Sequence, residues 1–228
     1  AYGLWGLFPL YWPLLEPSGD IEILAHRIVW SLVVVAILVG ITRGWRRIRG
    51  LPGRTLGILA GAAAVITINW GTYIYGVNNG HVVETSLGYF INPLVTVVMG
   101  VVLLRERLRR WQWVAVGLGF VAVVILTVDY GRPPWISLVL AFSFGTYGLL
   151  KKQANTGAVE SLAVETGVLF LPMLGFLLVL HGSGAGTFGT AGTGHAALLA
   201  MSGVITVVPL LLFGAAATRV PLTTIGLL

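Results

Sequence analysis

The chain contains no cysteine among its 228 residues. Disulfides, thiolate nucleophiles and cysteine metal sites are therefore excluded, and the redox compartment is left unread. Charge is also scarce, at 10% of residues with only eight acids, whereas 57% are hydrophobic and mean hydropathy is +0.91. That balance excludes a soluble domain and indicates an integral membrane protein. Nothing resembles a Ser-His-Asp arrangement or a paired-carboxylate site, so an enzyme is not expected. The glycine run GSGAGTFGTAGTG at 182–194 has no strand before it and no Lys-Ser/Thr after it. It reads as a flexible outer loop rather than a phosphate cradle, and without a nucleotide motif direct ATP drive is excluded. His181 and His195 flank it without nearby carboxylates or a third ligand, which argues against a metal. No cofactor is expected. No basic stretch precedes the apolar start at Ala1, so no signal peptide is visible and the start reads as trimmed.

What is present is a series of apolar runs. They lie near 1–15, 23–41, 56–76, 86–104, 111–128, 134–150, 161–180 and 196–217, each close to the ~20 residues that carry a helix across a bilayer. The reading is an all-α chain with eight transmembrane helices. Twelve of the fourteen Lys and Arg fall in short clusters: five within 43–54, four within 105–110, then Lys151, Lys152 and Arg219. Such clustering follows the positive-inside rule and argues against a nucleic-acid partner. Glu16, Asp20 and Glu22 then lie outside, as do His81, Glu84, Asp129, Arg132 and the uncharged 181–195.

A repeat runs through the chain. Glu22, Leu24 and Ala25 recur as Glu160, Leu162 and Ala163, and Val65, Ile66 and Thr67 recur as Val204, Ile205 and Thr206. Gly6 pairs with Gly145, Thr85 with Thr224 and Gly88 with Gly226 at nearly the same offset. One unit holds five spans, an odd number, so its copy crosses in the opposite sense. This is the inverted repeat of many secondary transporters. The division is 1–128 for the first repeat and 134–228 for the second, which reaches only the equivalent of about residue 89 and so reads as truncated by two helices.

The stretch ETSLGYFINPLVTVVMGVVLLRERLRR, Glu84 to Arg110, organises the first unit. Pro93 lacks an N–H and Gly88 adds looseness, so the helix is expected to bend or open between Tyr89 and Pro93. Ser86, Tyr89 and Asn92 at three-residue steps share a face, read as cavity-facing. Together with AHRIVWS at 25–31 and NWGTYIYGVNNG at 69–80, this stretch resembles the RarD branch of the EamA drug/metabolite transporters. LLRERLRRWQWVAVGLGFVAVVIL is similar to the general EamA signature through Glu106, Gln112 and Gly117. The likeness covers the first five spans well and the second half through its register. It implies ten helices in two inverted five-helix repeats, a central cavity, and movement of small organic solutes across the bacterial inner membrane.

Several residues are candidates for that cavity. Arg27 lies inside the second span, where a charge costs roughly 2.5–3.5 kcal/mol on insertion scales. It reads as an anion contact or, alternatively, as a structural ion pair or a side chain snorkelling outward. His26 shares a face with Trp30 and reads either as a proton-linked group or as a helix-to-helix hydrogen bond. Asn69, Tyr73 and Gly76 form a stripe that suits a cavity wall and plain packing equally. Trp5, Phe8 and Trp12 stack at helical spacing, with Phe144, Tyr147 and Lys151 as their shifted counterparts. Aromatic walls suit flat solutes, although Trp12, Trp111 and Trp113 read better as interface anchors. Arg27 and Glu165 stand 138 residues apart (27 to 165), the repeat offset. They are expected to meet across the pseudo-two-fold axis as one centre of the cavity, or else as a permanent bridge.

The expected partners are a small-molecule solute and the lipid bilayer, with a coupling proton or ion left open. A non-transporting scaffold or receptor is the competing reading, ahead of a membrane-embedded enzyme. Substrate, direction and oligomeric state are not legible.

Overall fold

In a computed structural model, which describes residues 1–131 and 134–226, every regular element is helical. The order is α1 (Tyr2–Trp5), α2 (Phe8–Tyr11), a 3₁₀ turn (Trp12–Leu15), α3 (Asp20–Ile41), α4 (Trp45–Arg49), α5 (Gly53–Asn78), α6 (Val82–Leu104), α7 (Arg110–Tyr130), α8 (Trp135–Ala154), α9 (Ala158–Gly182), α10 (Thr193–Ala217) and α11 (Leu222–Gly226). Among the described residues six helices, α3, α5, α6, α7, α9 and α10, are long and apolar enough to cross a membrane. The chain is a multi-pass membrane protein. In α7 none of the described residues of the apolar window is buried, and Leu118, Phe120, Ile125 and Val128 are all more than 60% exposed. Its face toward α6 is partly covered, and a helix otherwise so apolar and so exposed is stable in lipid and not in water.

Two expectations about continuity are corrected. The first apolar run is not one helix but three short pieces, because Pro9 and Pro13 remove backbone donors from its middle. Of the two alternatives at Pro93, a bend or an opening, the opening does not occur: α6 runs unbroken from Val82 to Leu104 with the proline inside it. One lost hydrogen bond does not unravel a ladder whose other groups have no water to turn to. The sixth expected span, α8, is helical over 20 residues, with Lys151 and Lys152 in its last turn. Arg132 lies outside the described residues.

The chain divides into two compact units, 1–64 with 154–215, and 65–153 with 216–228. Each draws on residues from both 1–128 and 134–228. In the first unit α3 and α9 pack along much of their lengths as an antiparallel pair. Glu22, in the first turn of α3, accepts the Thr187 N–H at 2.7 Å and the Thr187 hydroxyl at 3.0 Å, just beyond the end of α9. Glu160, in the first turn of α9, bridges to Arg47 Nε at 3.0 Å, just beyond the end of α3. The acid that opens each helix thus holds the segment that follows the other. The loop at 182–194 is therefore not loose at its centre, since Thr187 is tied to Glu22, and Ser18 Oγ lies 2.8 Å from His195 Nε2. α10 meets α3 so closely at Gly203 that a Cβ there would sit 2.5 Å from the Trp30 carbonyl carbon.

In the second unit α6 packs against α7 and α11. Glu84, placed by the charge pattern on the outer side of the membrane, is buried within the unit and accepts the Ile136 N–H at 3.1 Å. A carboxylate at the start of α8 complements its unpaired N–H groups and dipole. The Ser137 hydroxyl donates to the Glu84 carbonyl. Gly88 serves close packing, because a Cβ there would lie 3.0 Å from Leu140 Cβ and 3.2 Å from Ser137 Cα. At the other end α6 stops at Arg105, whose left-handed backbone (φ 55°) turns the chain so that the Glu106 N–H reaches Gly100 O at 3.0 Å.

Candidate functional site

The ten candidate residues fall into both units. Trp5, Phe8, His26, Arg27 and Glu165 belong to the first, and Asn69, Tyr73, Tyr89, Asn92 and Tyr147 to the second.

In the first unit Arg27 is the centre. It is 1% exposed, its Nε donates to the Thr206 hydroxyl at 3.0 Å, and its guanidinium lies 4.6 Å from the Trp12 ring and 5.7 Å from Phe8. The proline-broken start of the chain matters here, since it folds both aromatic rings against the cation. Cation–π contacts of this kind are worth about 2 kcal/mol when water is excluded. Trp12 is consequently fully buried and is not an interface anchor, whereas Trp111 and Trp113 are exposed as that role requires. Trp5 packs on Phe213 at 5.6 Å. His26, one residue before Arg27, turns to a different neighbour and stacks on Phe188 at 4.8 Å.

Glu165 is also buried and accepts the Ser161 hydroxyl at 2.8 Å. The register of the α3–α9 pair sets it apart from Arg27 along the helices. Glu22 stands level with Leu180 and Ala185, and Glu160 level with Gly44 and Arg47. On that register Arg27 faces α9 near residue 176, which leaves Glu165 about 11 residues away, or roughly 16 Å at the helical rise of ~1.5 Å per residue. Equivalent positions coincide only at the midpoint of an antiparallel pair, and Arg27 is well to one side of it.

In the second unit the candidates engage one another less. The Asn69 amide donates to Leu140 O at 3.0 Å and Ser143 Oγ at 2.9 Å, tying α5 to α8. Tyr73 and Tyr89 meet edge-to-face at 5.9 Å. The face expected at Ser86, Tyr89 and Asn92 is not one environment. Ser86 bonds back to Val82 O at 2.8 Å, Tyr89 is 48% exposed, and buried Asn92 accepts from Thr96 at 3.1 Å. A three-residue step drifts around a 3.6-residue helix. Tyr147 is fully buried beneath Lys151 Nζ, 5.5 Å from its ring.

Glu106 was legible as a motif residue but its task was not. Its two oxygens accept the Leu222 and Thr223 N–H groups at 2.9 and 2.8 Å, and Lys152 Nζ lies 3.4 Å away. Burial works to raise its pKa, but the Thr223 and Leu222 donors and the Lys152 ammonium outweigh it and hold the carboxyl below its ordinary value. Thr206 and Thr187 were not singled out as partners. Thr206 did appear in the repeat match, and Glu22 and Glu160 were its clearest pair.

Residues 4–128 match the EamA-like transporter family. The chain is 64% identical to Protein RarD of Streptomyces exfoliatus, over all of this chain and 73% of that protein. It is 44% identical to the uncharacterized transporter YojE of Bacillus subtilis, over all of this chain and 78% of that protein. Protein RarD of Escherichia coli is 40% identical over 99% of this chain and 77% of its own length. No solved structure matches. An all-helical chain with six candidate spans and this similarity along its whole length belongs to the EamA-like transporter family, in its RarD branch.

Proposed function

We propose that this protein is a secondary transporter that moves small organic solutes across the bacterial inner membrane by alternating access between two inverted five-helix repeats, 1–128 and 134–228. The observation that carries this reading is the reciprocal tie in the α3–α9 pair, Glu22 to Thr187 at one end and Glu160 to Arg47 at the other. Two helices related by an inverted repeat make equivalent contacts at opposite ends, and rocking opens one while the other stays shut. The element starts support the same register: Asp20 and Ala158 are 138 residues apart, and Gly53 and Thr193, like Val82 and Leu222, are 140 apart.

Arg27, with Phe8 and Trp12 against it, is the proposed contact for the polar end of a solute, and Trp5 the adjoining wall. Glu165 is its counterpart at the other end of the pair. A solute biases the two conformations only by binding them unequally, and a cation that has to exchange Thr206 for a ligand provides that inequality. The deciding experiment is solute flux in proteoliposomes carrying the full-length gene product. Flux that saturates and is lost in Arg27→Ala, with the variant inserted and stable, is the expected result. Wild-type flux in both Arg27→Ala and Glu165→Ala would sink the site.

A further inference from the structure

The end of the α3–α9 pair marked by Glu22 carries a cleft whose lining does not include Arg27. Both ring nitrogens of His26 and the Trp30 indole nitrogen are buried there without a hydrogen-bond partner among the described residues, and His26 is only 5% exposed. Buried polar atoms are almost always paired, so an imidazole with neither nitrogen engaged indicates a place where a partner arrives. His26 and Trp30 line a cleft of about 310 Å³ together with Leu174, Leu177, Leu178 and Phe188. That volume is at the small end of the range for ligand sites and suits one or two rings.

The walls specify the ligand further. Phe188 stacks on the imidazole at 4.8 Å and 25° and is tilted against Trp30 at 6.1 Å and 35°, so the three rings form one aromatic wall of the cleft. Glu22 holds Phe188 in place by gripping the neighbouring Thr187, so the wall is preorganised. Glu22 also lines the cleft and is its one carboxylate. Its charge disfavours anions. We infer that this cleft binds a flat aromatic solute, neutral or singly cationic, whose hydrogen-bonding group engages His26 and Trp30 while its ring lies along Phe188 and the α9 leucines. A tyramine-like phenol with an ammonium tail has the required features.

The inference does not depend on the transport reading, and direct binding separates the two. Full-length protein in lipid nanodiscs is titrated with tyramine, with 4-hydroxyphenylacetate as the anionic match. Saturable tyramine binding is expected, with the anion about tenfold weaker or worse. His26→Phe preserves the packing and the stack on Phe188 but removes both nitrogens, so it should unfold no earlier than wild type and bind about tenfold more weakly. Leu178→Trp fills the mouth from a side chain that is 65% exposed and should block binding without touching the fold. The inference is overturned by absence of saturable tyramine binding to the wild type. It is equally overturned by unchanged affinity in either variant, the result expected if solute or an acyl chain merely partitions among the leucines. Normal solute flux without tyramine binding removes this inference alone, and tyramine binding without any flux removes the transport reading alone.

Discussion

Arg27 Nε donates to the Thr206 hydroxyl at 3.0 Å in a buried setting, and so fastens α3 to α10. A hydrogen bond to a buried charge contributes about 1.5–3 kcal/mol. Thr206→Val keeps the volume and removes the acceptor, and should lower the unfolding temperature in detergent clearly. Arg27→Lys is expected to be nearly as damaging, because an ammonium does not lie flat on Trp12 or reach with the same fork. Wild-type melting of both variants would show that the contact carries no weight.

The close approach at Gly203 predicts a contrast between two glycines. A Cβ at Gly203 would overlap the Trp30 backbone at 2.5 Å, whereas a Cβ at Gly57, inside α5, meets nothing within 4 Å. Gly203→Ala should destabilise by about 1–3 kcal/mol through overpacking. Gly57→Ala should be neutral or stabilising by roughly 0.5–1 kcal/mol. Equal effects at the two positions would contradict the α3–α10 geometry.

Glu106 predicts a pH dependence whose sign is settled by its lowered folded pKa. The unfolded carboxyl titrates near ~4.3. Because the folded value lies below that, its contribution is fully present above the unfolded value and is lost as pH falls through the folded one. Acid unfolding of the wild type should therefore steepen below about pH 4. Glu106→Gln should flatten that step and loosen α11, read as faster hydrogen exchange at the Leu222 and Thr223 amides. An unchanged acid profile in the variant would rule this out.

The absence of cysteine from residues 1–228 makes topology directly testable, since a thiol introduced there is the sole label site within them. A cysteine at Ser183 should react with an impermeant maleimide from outside intact cells, and one at Gly50 only after permeabilisation. The reverse pattern would invert the assignment of the arginine cluster at 43–54 to the cytoplasm.

Composition and hydropathy, read along the chain, were enough for the all-helical class, the membrane setting and the placement of α3, α5, α6, α7, α9 and α10. These properties are local: a span is recognised from its own residues, and a proline cluster or a basic run acts within a few positions. The sequence matches at a near-constant offset were legible for the same reason, and they pointed to Glu22 and Glu160 before their partners were known. Partner choice was decided only by tertiary structure. Glu84 was legible as an acid on the outer side of the membrane, but not as the cap of α8, whose start, 52 residues on (84 to 136), packs beside it. Trp12 looked like an interface anchor and became the surface on which Arg27 lies. Arg27 and Glu165 carry complementary charge at equivalent repeat positions, yet an antiparallel pair brings equivalents together only at its midpoint. The sign of a charge is written in the sequence, whereas its level along a helix pair is set by where the two helices cross.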